Sequence, residues 1–130
     1  MKRVRFALSA VVAVLVIFGL SVAPAGAMKQ FRDGFLAKYV KPDSSDAKEK
    51  ELAAAVEKAK CFICHEGETK KQRNVYGKAL EKFLEKKDKD NKEKIAAAFD
   101  KVAEMKADAK DPKAPTFGEL IKQGKLPAAK

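Results

Sequence analysis

One histidine, two cysteines and no tryptophan occur in 130 residues. The single histidine excludes any site that draws two imidazoles from this chain. With both cysteines it still falls one ligand short of the four that a closed structural zinc site takes, so such a site would need a second chain. The missing tryptophan and the small number of large apolar residues leave little material for a side-chain core. An acidic excess is also lacking, since 28 Lys and Arg against 18 Asp and Glu give a formal charge of +10. The bases are interspersed with acids instead of massed on one helix, which argues against a nucleic-acid partner. Strand-like alternation and internal repeats are absent, and Ala, Glu, Lys and Leu dominate, so the chain reads as all-α.

The scarce residues are concentrated in one place. Cys61-Phe62-Ile63-Cys64-His65 holds both cysteines and the only histidine. This is the spacing of covalent haem attachment, because two thiols three positions apart reach two vinyl groups on one porphyrin edge while the next residue presents its imidazole to the iron. The expectation is one haem c, with Cys61 and Cys64 as thioethers and His65 as the proximal axial ligand. A disulfide staple or a thioredoxin-like dithiol uses the same Cys-x-x-Cys spacing, but the latter expects strands alternating with helices.

At the N-terminus, Lys2, Arg3 and Arg5 precede an apolar run over residues 6–20, and Ala25-Gly26-Ala27 supplies small residues before Met28. The pattern predicts a signal peptide at 1–27 and a periplasmic protein, the compartment in which bacteria attach haem to cysteines. The rival reading is an uncleaved anchor, the one case in which membrane contact is expected. Cleavage leaves 103 residues, one haem-binding domain at 28–130, and lowers the formal charge to +7 by removing three bases and no acid. A buried haem would then supply much of the core, and the haem-free chain is expected to fold poorly.

Five helical segments are predicted in the mature part. Residues 29–40 carry Phe31, Phe35 and Tyr39 on one stripe and stop before Pro42. Asp46 caps a second helix, with Glu49 three residues on, whose apolar residues Leu52, Ala53, Val56 and Ala59 should face the porphyrin. After a polar loop at 66–73, Asn74 caps a third helix with Tyr76, Ala79, Leu80, Phe83 and Leu84 on its apolar side. Residues 85–94 are charge almost without interruption and are expected to bury nothing. A fourth helix over 91–109 carries Ile95, Ala98, Phe99, Val102 and Met105, and the prolines at 112 and 115 break it. Thr116 and Glu119 form a capping box for a last helix through Ile121, closed by Gly124.

The sixth iron ligand separates two functions. Met105 is the leading distal candidate, although its place on an apolar stripe also suits plain core packing; Met28, at the mature N-terminus, is the lesser one. A thioether on iron gives a six-coordinate site that suits single-electron transfer. An open distal side gives a protein that binds a small ligand, a gas sensor or carrier. Catalysis is not expected, since no distal histidine exists to act as acid and base, and Arg73 or a lysine would substitute only in part. Lys58, Lys60, Lys70, Lys71, Arg73 and Lys78 flank the motif, where they either steer an acidic redox partner or simply keep the protein soluble.

Lys60-Cys-Phe-Ile-Cys-His65, Arg73-Asn-Val-Tyr-Gly-Lys-Ala-Leu80 and Thr116-Phe-Gly-Glu-Leu-Ile121 together resemble the small exported mono-haem c-type cytochromes of planctomycete bacteria. The resemblance spans most of the mature chain. It implies a small helical domain wrapped around one covalent haem. In size and helicity the chain is also similar to class I cytochromes c, from which it departs in three ways: the haem motif follows two helical segments, no Gly-Pro follows it, and Met105 falls in a helical pattern. The resulting expectation is a periplasmic, non-enzymatic electron carrier. The alternatives are an open-site haem protein and a haem-bearing subunit of a larger exported complex.

Overall fold

The structure is a computed structural model that describes residues 29–128. The expected signal peptide and Met28 lie outside them. Among the described residues no helix is long and apolar enough to cross a membrane.

The architecture is mostly helical. Five α-helices, α1 (Lys29–Tyr39), α2 (Ala47–Ala59), α3 (Val75–Leu80), α4 (Lys92–Ala103) and α5 (Phe117–Lys122), are joined by two 3₁₀ turns, Lys60–Ile63 and Lys86–Asp90, and by a short hairpin. The helix starts follow the predicted caps. Asp46 accepts from the N–H groups of Lys48 and Glu49, and Asn74 accepts from Gly77. Thr116 and Glu119 close a reciprocal capping box. Each cap satisfies donors that a helix N-terminus leaves open. At the other end of α5, Gly124 takes φ = 79°, a conformation open to glycine at no steric cost.

One continuous core forms from every helix. Phe35 of α1 is fully buried and packs with Tyr39, Tyr76 and Phe99 at ring-centroid distances of 5.0, 5.9 and 5.9 Å. Tyr76 meets Phe117 edge-on at 5.2 Å, which ties α3 to α5. Such tilted aromatic pairs contribute about 0.5–1.5 kcal/mol each beyond their buried area. Leu52 and Val56 of α2, Ile95, Ala98 and Val102 of α4, and Ile121 of α5 complete the cluster. Side chains from all five helices thus meet in one cluster.

Four segments differ from the sequence reading. The third helix ends at Leu80, so Phe83 and Leu84 lie beyond it in a turn and its exit. The polar loop contains a two-strand antiparallel pair, β1 (His65–Glu66) with β2 (Gln72–Arg73), in register His65 with Arg73. The charged run 85–94 does bury a side chain: the Asp88 carboxylate accepts from the Glu85 N–H at 2.8 Å and pairs with Lys94 at 2.8 Å. The fourth helix stops at Ala103. Beyond it the chain bonds across to residues 115–117, with Ala107 N–H donating to Pro115 O and Phe117 N–H to Met105 O, both at 3.0 Å. Those long-range bonds draw good helix formers out of the helix. Met105 thus lies in a strap ahead of Pro112 and Pro115, half-buried against the core, and not within a helix.

Candidate functional site

The chain reverses sharply where α2 ends. Lys60 takes φ = 50°, rare for a residue with a side chain, while its N–H still reaches Val56 O. Cys61 to Ile63 continue the tight turn, and Cys64 N–H closes it on Cys61 O at 3.3 Å. Ile63 points into the core, 2% exposed, while its neighbour Phe62 is 43% exposed. Cys61, Cys64 and His65, which the sequence singled out, all lie on or next to this turn, and each is half-buried.

Asn74 fixes this turn from the other side. Its side-chain Nδ2 donates to Ile63 O at 3.0 Å and to Phe62 O at 3.1 Å, with His65 O at 3.4 Å, while its Oδ1 accepts from Gly77 N–H at 2.9 Å. Its own N–H donates to Cys64 O at 3.1 Å. The sequence identified Asn74 as a helix cap only. A single cap-type residue carries no sign of contacts made eleven and twelve positions earlier.

The chemistry available is narrow. Both cysteines are free thiols. Burial pushes the Cys64 thiol up to about 12, and the opposing pull of the Arg73 guanidinium is too small to reverse it. A redox dithiol or a cysteine nucleophile needs a stabilised thiolate, the opposite environment. Among the described residues no three His, Cys, Asp or Glu side chains converge as a metal-holding cluster. His65 carries a buried Nδ1 without a hydrogen-bond partner. An imidazole nitrogen left so costs about 1–3 kcal/mol, which only a partner at that nitrogen would relieve.

Two other buried polar atoms lack partners, Arg32 Nε and the Tyr76 hydroxyl. Burial pushes the Tyr76 phenol well above its ordinary value. Met105 connects to this region through Phe117, whose N–H it accepts and whose ring packs on Tyr76. A cavity of about 360 Å³ lined by Lys38, Tyr39, Asp46, Glu49 and Ile121, among others, touches none of Cys61, Cys64 or His65. It offers neither thiol nor imidazole.

Of the flanking bases, Arg73 pairs with Glu81, and Lys78 lies 3.8 Å from Glu66. Lys60, Lys70 and Lys71 are exposed, and the Lys70 ammonium sits 5.6 Å above the Phe62 ring. Val75, next to Asn74, is the second large apolar residue left exposed, at 52%.

No family model, curated protein or solved structure matches the chain.

Proposed function

We propose that the chain is a periplasmic c-type cytochrome that carries one covalent haem, as the resemblance to small exported mono-haem cytochromes implies, and that it passes single electrons between protein partners. The observation that carries this reading is the Cys61–His65 turn, with two free thiols and an imidazole whose buried nitrogen is unanswered. The donor set fits a haem better than a bare metal ion. A porphyrin brings its own four equatorial nitrogens and asks the chain for thiols and an axial imidazole, so no cluster of several protein ligands is needed.

Cys61 and Cys64 would hold the ring. Each thiol S–H would be the group added across a vinyl C=C of the ring, sulfur to one carbon and hydrogen to the other, so the attachment would need no external oxidant. His65 would occupy the proximal position. Bound haem supplies the one-electron couple between ferric and ferrous iron. Met105 is the distal candidate, and its place in a proline-bearing strap removes one departure from class I cytochromes. Exposed Lys60, Lys70 and Lys71, with the Lys70 ammonium over the exposed Phe62 ring, would suit an acidic redox partner.

Absorption spectra of the oxidised and reduced protein, with and without carbon monoxide, test the assignment. Electron transfer with Met105 on iron predicts no carbon monoxide binding in the wild type and binding in Met105→Ala. Rapid binding in the wild type moves the open-site alternative ahead.

A further inference from the structure

The segment Arg73-Asn-Val-Tyr-Gly contributes neither thiol nor iron ligand, yet it makes the densest set of bonds to the Cys61–His65 turn. Asn74 is 6% exposed, and both ends of its amide are used. The NH₂ end has two hydrogens and faces the carbonyls of Phe62, Ile63 and His65, of which the first two lie at good hydrogen-bond distances. The oxygen end takes the Gly77 N–H. Turning the amide over would set donor against donor and acceptor against acceptor, so the arrangement has one sense only. Gly77 completes the contact: any side chain there would overlap the Cys64 carbonyl oxygen, so the first turn of α3 lies directly on the backbone of the motif.

We propose that Asn74 and Gly77 are positioning residues that hold the Cys-x-x-Cys-His turn in its attachment geometry before and after haem is bound. The inference rests on the haem reading for its purpose, but the clamp itself does not depend on it. Asn74 stands outside the motif and touches only its backbone, so its effect on the iron is exerted through the direction in which the turn presents His65.

Amide hydrogen exchange in the full chain, with and without haem, tests the clamp. In the wild type, the Asn74 side-chain NH₂ protons are expected to exchange at least about tenfold more slowly than those of exposed Asn91, the factor that one net hydrogen bond of ordinary strength gives. Asn74→Asp keeps an oxygen for the Gly77 N–H but replaces the donors with a carboxylate oxygen that the Phe62, Ile63 and His65 carbonyls repel. It should speed exchange at the Cys64 and Asn74 backbone amides by a similar factor while leaving Phe99 in α4 unchanged. In the loaded protein the same variant should shift the reduction potential and raise the pH at which His65 leaves the iron, whereas Lys113→Ala, at an exposed position far from the motif in sequence, moves neither.

Equal exchange of the Asn74 and Asn91 side chains in the wild type would overturn the clamp without needing any variant. An unchanged potential and acid transition in Asn74→Asp would overturn the positioning role. Failure to find covalent haem would instead remove the purpose and leave the exchange result standing, so the two failures are distinguishable.

Discussion

Gly77 lies against the carbonyl oxygen of Cys64, and a methyl group at its α-carbon would overlap that oxygen and come within 3.0 Å of Arg73 Cβ. The obstacles are backbone and the root of a side chain, which do not swing aside. In an ordinary helix interior glycine costs about 0.5–1 kcal/mol relative to alanine. Here the sign reverses: Gly77→Ala is expected to destabilise by on the order of 1–3 kcal/mol, lowering the melting temperature by at least about 4 °C. A melting temperature at or above that of the wild type would contradict the contact.

Phe99 is fully buried and packs edge-on against Phe35 and Tyr39, whose hydroxyl donates to the Phe99 carbonyl at 3.2 Å. Truncation to alanine leaves a cavity that surrounding helices close only in part, at about 3–5 kcal/mol. Phe99→Ala should therefore abolish the cooperative thermal transition or lower its midpoint by more than about 12 °C. The comparison variant Lys41→Ala, which removes an exposed pair with Glu49, should change it by less than about 4 °C.

The Asp88 carboxyl is held below its ordinary value of 3.8 by the Lys94 ammonium and by the Glu85 N–H. A carboxyl lowered on folding stabilises the native state above its unfolded value, and that contribution disappears as pH falls through the lowered one. The melting-temperature difference between wild type and Asp88→Asn should be constant from about pH 8 to about pH 5 and shrink below about pH 4. A difference that persists undiminished at lower pH would show that the charge is not its source.

The two cysteines should differ in the haem-free chain. With the Cys64 thiol raised to about 12 by burial, alkylation at neutral pH is expected to modify Cys61 first and Cys64 only after denaturant is added. Peptide mapping after a timed pulse of iodoacetamide reads this directly. Equal rates in the native protein would mean that burial does not hold back the Cys64 thiol.

Much of this arrangement was legible beforehand, for identifiable reasons. Asp46, Asn74 and Thr116 are side chains whose oxygens answer nearby backbone N–H groups, and such local bonds can be read from sequence. The buried faces of α1, α2 and α4 followed from 3.6-residue periodicity, and the crowding of both cysteines and the histidine into five residues marked the site. The missed features depend on long-range partners. Met105 leaves the helix because residues 105 and 107 bond to 117 and 115. Asp88 is buried in a run of charges because Lys94 and the Glu85 N–H reach it. The second role of Asn74 requires the motif turn to be folded beside it.

Covalent haem is the central claim, and the most direct measurement is the intact mass and denatured absorption spectrum of the full chain expressed in a host with a haem-maturation system. The account predicts one haem that survives denaturation and is lost when Cys61 and Cys64 are both replaced by alanine. A chain recovered with two unmodified thiols and no haem, from cells that load a control cytochrome, would contradict it.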